Sequence, residues 1–250
     1  MREPLLEVVV LSPADALAAV AGGADRVELV TDMAADGLTP DPAVFRAVRD
    51  AVEVPVRVMV RRTAGFARGA SPDALRTDAA ELWAAGAREF VGGWLTEDGA
   101  VDVEACHAVF GGLPDGAWTF HRAVDHARDR AEAWRLIGGL PGVDTVLTSG
   151  AREGVGAGAA VLASQLDATG PERDRSGEHG GSDGHDRSGG LTAAPRVLVG
   201  GGLRLDHVPQ LRAAGADAFH IGTGARDGGW SGPVDPERVR VWHDAVHRPL

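Results

Sequence analysis

Trp118-Thr119-Phe120-His121-Arg122-Ala123-Val124-Asp125 is an apolar run that ends in His-Arg, with a carboxylate three residues beyond the arginine. It reads as a buried strand delivering polar side chains at its C-terminal end. The layout recurs along the chain. Short runs rich in Val, Leu and Phe lie near residues 5–11, 25–30, 55–60, 88–92, 116–121, 143–147, 196–199 and 217–221. That composition is expected of strands covered on both faces. Stretches of helical period separate them, among them Pro13–Ala21, Pro42–Val52, Pro72–Ala85, Asp129–Ile137 and Leu205–Ala214. Pro13, Pro42 and Pro72 each follow a Ser or Asp, an N-cap followed by proline at the first helical position. Ala-Gly-Gly-Ala-Asp at 21–25, Ala-Ala-Gly-Ala-Arg at 84–88 and Ala-Ala-Gly-Ala-Asp at 213–217 each read as a helix stop before a new strand. Eight strand–helix units predict an α/β protein of the (β/α)₈ TIM-barrel class, one domain over residues 1–250. An open dinucleotide-binding sheet is disfavoured, because the first strand runs into Ser12-Pro13 without a Gly-x-Gly-x-x-Gly turn. Residues 168–194 are polar and Gly-rich and break the rhythm; they read as a disordered surface insertion between the sixth helix and the seventh strand.

Composition narrows the function. The 250 residues carry a net charge of −11, with 44% hydrophobic and 24% charged residues. A non-specific nucleic-acid partner needs a basic face and is not expected. No apolar run approaches the ~20 residues of a bilayer span, and no signal-peptide layout opens the chain, so a cytoplasmic protein without a membrane partner is expected. The sole cysteine, Cys106, allows no intrachain disulfide and no Cys-x-x-Cys metal site; within Val103, Cys106, Val109 and Phe110 it reads as a buried hydrophobe. There is no lysine and no tyrosine, which excludes Schiff-base chemistry, a phosphate-binding P-loop lysine and a phenolic acid or base.

Polar residues gather at the strand ends: Glu7, Glu28, Arg61, His121, Arg122, Asp125, Thr148, Ser149 and His220. Carboxylates inside strands, as in Leu6-Glu7-Val8 and Val27-Glu28-Leu29, are costly unless a cation pairs with them. Arg61 and Arg122 are the expected partners, and a salt-bridged plug inside the barrel is the competing explanation. Read functionally, arginines would grip an anion and His121 would move protons, positioned by Asp125 or a nearby glutamate. A second constellation follows the last two strands: Gly200-Gly201-Gly202 and Gly222-Thr223-Gly224. In barrels these loops often hold phosphate on backbone N–H groups, so Gly201, Gly202, Gly222 and Gly224, with Ser149 and His220, are the candidate anion site. Simple tight turns would explain the same glycines. No ligand spacing marks a metal site. Trp94 and Trp230 follow strands and are candidate pocket walls.

Leu6-Glu7, Ala24-Asp25-Arg26-Val27-Glu28-Leu29, Gly37-Leu38-Thr39-Pro40, Thr119–Asp125, Leu147-Thr148-Ser149-Gly150 and Gly200-Gly201-Gly202 together resemble the CutC family. The resemblance implies a (β/α)₈ barrel, a homo-oligomer with a dimer favoured, a role in copper homeostasis and copper as the bound ion. It also implies that Glu7, Glu28, Arg61, His121, Arg122, Asp125, Ser149 and His220 line the mouth. Members credited with copper binding carry cysteines beside the first two strands; here those stretches read Val8-Val9-Val10-Leu11 and Val30-Thr31-Asp32, leaving only Met33 and Met59 as soft donors. The family's Arg-Pro-Arg after strand three is Arg61-Arg62-Thr63, and Asp36 replaces a glycine. Three readings follow: a copper-handling protein, an enzyme acting on a small anionic metabolite, phosphorylated or not, or a barrel without turnover.

Overall fold

The computed structural model describes residues 2–169 and 194–249; the polar segment expected to be a disordered insertion lies, except for its ends, outside them. Eight parallel strands close into a barrel in chain order: β1 (Leu5–Val10), β2 (Arg26–Leu29), β3 (Val56–Met59), β4 (Glu89–Gly92), β5 (Ala117–Phe120), β6 (Val143–Thr148), β7 (Arg196–Val199) and β8 (Ala218–Ile221). Around them run α1 (Pro13–Ala21), α2 (Pro42–Ala51), α3 (Pro72–Ala84), α4 (Val103–Phe110), α5 (Arg130–Gly138), α6 (Val155–Thr169), α7 (Val208–Ala213) and α8 (Pro236–His247). β8 pairs with β1, so among the described residues the sheet has no free edge. This is a (β/α)₈ TIM barrel.

The local signals act as read. Ser12, Asp41 and Ser71 accept the N–H groups of Asp15, Ala43 and Ala74, each with proline opening the helix. In the three Ala-Gly repeats the turn glycine lies at positive φ: 99° at Gly23, 106° at Gly86 and 99° at Gly215. Side-chain-bearing residues are strained there, which is why the repeat keeps its glycine. One element differs. The helix expected over Leu205–Ala214 is a short 3₁₀ turn, Leu205–His207, followed by α7. Pro209, which has no N–H to give, starts the α-helix afresh in its first turn.

Alternation along each strand divides the core. Leu6, Val8 and Val10 of β1 are fully buried in the large cluster that the helices cover with Phe45, Leu75, Leu82, Ile137 and Val239. The other face of the strands fills the barrel. There, one apolar cluster joins Val9, Val30, Met59 and Val91, and another joins Leu147, Leu198 and Ala218. Charged side chains occupy the space between. Arg57, 1% exposed, reaches Glu89 at 3.1 Å, Asp144 at 2.6 Å and the Thr119 hydroxyl. The register sets Arg57 beside Glu89 and Glu28, so the barrel interior is an ion-pair lattice as well as a packed core.

Helix α6 lies hard against the loop after β6. A Cβ on Gly158 would stand 2.0 Å from the Ser149 carbonyl oxygen, whereas one on Gly156 meets open space. On helix propensity alone either glycine gains up to ~1 kcal/mol on becoming alanine. Packing reverses the sign at one of them. Gly158→Ala will lower the unfolding free energy in chemical denaturation, by roughly 1–3 kcal/mol as overpacking does, while Gly156→Ala leaves it level or raises it.

Candidate functional site

The C-terminal ends of the strands surround a cavity of about 510 Å³. Val9, Val30, Met59 and Leu147 form its apolar floor, with Glu28 and His220 set among them. Its wall carries Met33, Phe66, Leu203 and Trp230, the cations Arg61, Arg122 and Arg152, and the imidazoles His121 and His126. Gly201, Gly202, Gly222 and Gly224 complete the rim. Thus Glu28, Arg61, His121, Arg122, His220 and these four glycines meet at one cavity, although they come from five different strands or the loops that follow them.

Glu7, Asp125 and Ser149 do not line it. Glu7 is fully buried one layer deeper, where the register sets it between Arg26 and His220. Its carboxylate takes the Arg26 Nε–H at 2.5 Å and faces His220 Nδ1 at 2.8 Å. The expected pairing of Glu7 and Glu28 with Arg61 and Arg122 is therefore corrected: the partners are Arg26 and His220, because adjacent strands place them side by side. Glu28 Oε2 stands 3.4 Å from His220 Nδ1 and accepts no hydrogen bond among the described residues. Asp125 is also turned away from the mouth. It accepts bonds from Arg122, Arg130, the Thr148 hydroxyl and both the N–H and hydroxyl of Ser149. It therefore fixes Arg122 and does not orient His121. The His121 ring is held instead by the Ala123 N–H, which donates to Nδ1 at 3.3 Å. Trp94 is 1% exposed in the outer core and forms no pocket wall.

Burial and neighbouring charge separate the titrating groups. Burial would raise the Glu7 carboxyl, but Arg26, His220 and Arg57 outweigh it and hold it at about 2. Glu28 suffers the same burial; the Glu7 charge adds to it, and the pull of His220, Arg26 and Arg57 does not compensate, leaving it at about 7. Burial also works against the His220 cation, yet the hydrogen bond to Glu7 and the charges of Glu28 and Glu7 raise its pKa above the ordinary value. His121 goes the other way: burial, then Arg61 and Arg122, push it down to about 3. The surroundings thus favour the cation at His220, between carboxylates, and the neutral ring at His121. With Nδ1 occupied as an acceptor, the His121 hydrogen sits on Nε2.

Arg61 is 4% exposed and makes no ion pair among the described residues. Three of its five N–H groups donate to the backbone oxygens of Thr63, Asp36 and Gly65, and its charge is left without a carboxylate. Arg152 likewise bonds the His126 carbonyl. The glycine loops serve these side chains. A Cβ on Gly201 would lie 2.5 Å from Arg122 Nε, and one on Gly222 2.3 Å from the Trp230 ring. At the same time the N–H groups of Gly201 and Gly202 donate to no carbonyl among the described residues. The mouth therefore gathers cations and free donors in a chain of net negative charge.

A family model, described as the CutC family, matches residues 4–170. The chain belongs to the CutC family. A "family protein CutC" from Klebsiella pneumoniae (strain 342) is 31% identical over 222 residues, spanning 88% of this chain and 80% of that protein. The human copper homeostasis protein cutC homolog is 36% identical over 148 residues, 58% of this chain and 54% of that one. The CutC structure from Streptococcus agalactiae superposes with a TM-score of 0.71 at 19% identity, over 88% of this chain and 98% of that one, a likeness of fold.

The family name turns attention to copper, and the donor set here does not suit Cu(I). Cys106 of this CutC member lies on α4, 1% exposed outside the barrel, its thiol pushed up by burial to about 12. The mouth offers the thioethers of Met33 and Met59 and no thiolate. Glu7, Glu28 and His220 do bring ligand atoms within 4.8 Å of one another, a cluster that no sequence spacing announces. It is an oxygen and nitrogen set, harder than Cu(I) prefers, and Arg26 already neutralises Glu7. Among the residues missed by sequence reasoning, Arg26 and Arg57 carried a signal, a charge alternating with apolar neighbours. His126 and Arg152 lie in loops and carried none.

Two measurements test this electrostatic layout. Asp125→Ala strands two arginines and two hydroxyls and will cost about 3–5 kcal/mol in chemical denaturation; a loss under 1 kcal/mol contradicts its role. Glu28 is a carboxyl raised on folding, so its contribution is intact below its ordinary value of 4.5 and is lost as pH climbs through about 7. Relative to Glu28→Gln, the native protein will lose roughly 3 kcal/mol of stability between pH 4.5 and 8. Parallel stability curves for the two proteins would contradict the assignment.

Proposed function

We propose that this chain serves copper homeostasis, the role its relatives' names carry, by binding a small anionic species at the barrel mouth and not by holding Cu(I) on protein thiolates. The observation that carries this reading is Arg61, a buried guanidinium without a carboxylate partner, beside Arg122, Arg152 and the open N–H groups of Gly201 and Gly202. Guanidiniums and backbone N–H groups recognise carboxylate and phosphate oxygens. A cavity of about 510 Å³ fits a small metabolite or a small metal chelate.

Turnover is the second reading, favoured by one specific observation. The Glu7–His220–Glu28 cluster holds two carboxylates at about 2 and about 7, and splitting of that kind equips a site for acid–base chemistry near neutral pH. Lacking lysine, the chain would work without a Schiff base.

Cu(I) titration under reducing conditions, against a competing chelator, separates anion binding from ion binding. Binding weaker than about 1 μM is expected, equivalent to about 8 kcal/mol or less. Inorganic phosphate or pyrophosphate should raise the melting temperature of the native protein, and Arg61→Gln should abolish that rise. Stoichiometric nanomolar Cu(I) binding with no response to either anion would overturn the proposal.

A further inference from the structure

Glu28 is the one carboxylate on the cavity floor that has been left incompletely used. It is 3% exposed, its Oε2 accepts no hydrogen bond among the described residues, and it lines the mouth. A buried carboxylate oxygen without a donor is unfavourable unless something completes it. His220 Nδ1 stands 3.4 Å from that Oε2 and is itself held by Glu7 at 2.8 Å, which Arg26 anchors. Across the same cavity stands His121, whose Nδ1 is taken by the Ala123 N–H, leaving its Nε2–H as a donor. One wall thus offers a proton acceptor, another a neutral N–H donor, and a third the cation Arg61.

We propose that Glu28 is a catalytic base that removes the proton beside the carbonyl of a short oxo or hydroxy compound bearing a phosphate or carboxylate head. The inference rests on reading the mouth as an anion site and adds the class of molecule and the bond that changes. The anionic head lies against Arg61, Arg122 and the Gly201–Gly202 N–H groups. The C–H bond breaks, its electron pair forms a carbon–carbon double bond as the carbonyl π pair moves onto oxygen to give an enolate, and the proton passes to the Glu28 carboxylate. His121 donates its Nε2–H to the developing oxyanion without losing the hydrogen, the part a neutral imidazole plays best. Return of the proton to the same carbon completes an epimerisation; return to the former carbonyl carbon, with the substrate's hydroxyl proton passing to the enolate oxygen, completes an isomerisation. Nothing is oxidised or reduced. His220 and Glu7 are positioning residues that keep Glu28 aimed at the cavity. The charged groups around Glu28 are Glu7 on β1, Arg26 on β2, Arg57 on β3 and His220 on β8, with Arg61 on the cavity side. Their balance leaves it near 7, where a base can both take and return a proton.

Phosphoglycolate and malonate carry a carboxylate where an enolate would form, one with a phosphate head and one with a carboxylate head. Calorimetry at pH 8 in two buffers of different ionisation heat reads the protons taken up on binding. The native protein should bind one of these probes with uptake approaching one proton, and Glu28→Gln should bind it with none. The probe that binds identifies the head group. In isotope-labelled native protein, the Glu28 carboxyl carbon should move to its protonated position when that probe saturates the site, a readout that needs no variant. Equal uptake by the two proteins, or an unmoved carboxyl signal, overturns the catalytic role while leaving the anion site standing. If neither probe binds, yet inorganic phosphate raises the melting temperature, the substrate class is wrong. If phosphate too is without effect, the anion site falls and the proposal with it.

Discussion

The ion pair between Glu7 and Arg26 is the contact on which the rest of the site depends. Barrel closure buries Glu7 completely, and a carboxylate so placed must be protonated or matched. The parallel register matches it twice, with Arg26 on β2 and His220 on β8. Once Glu7 is fixed as an anion, it favours the cationic form of His220, and Glu28 faces that imidazole together with the repulsion of Glu7. The state of each group follows from the one beneath it, and the chain of dependence ends at the cavity floor.

A second constraint comes from the glycine loops after β7 and β8. Their glycines are not merely turn formers. Gly201 makes room for Arg122 and Gly222 for Trp230, so the backbone and the side chains that shape the mouth interlock. Asp125 performs the matching task on the other side, tying Arg122 and Arg130 to the ends of β6. The arginines are therefore set before any ligand arrives, which lowers the cost of gathering like charges around it.

The barrel was legible because its signals are local: apolar runs, proline-led helix starts and the repeated Ala-Gly stop. Glu28 was legible as a charge among Val27 and Leu29. Arg26 and Arg57 carry the same mark, since residues two apart share a strand face, but a charge at a strand's start also reads as surface. The pairing of carboxylates was read wrongly because partners depend on which strands adjoin and in what register, and neither is written in one segment. The positions of Asp125 and Ser149 mislead for another reason. A residue just past a strand end can face the mouth or turn behind it, and only the hydrogen bonds of the folded loop decide. His126 and Arg152 reach the cavity through irregular backbone, where periodicity has no meaning.

The central claim is that one fold drives His121 and His220 at the mouth toward different protonation states. Nitrogen NMR of histidine-labelled protein at pH 7 tests it most directly. The account predicts that His220 shows both ring nitrogens protonated, while His121 shows a neutral ring with its hydrogen on Nε2. A neutral His220, or a protonated His121, would contradict it.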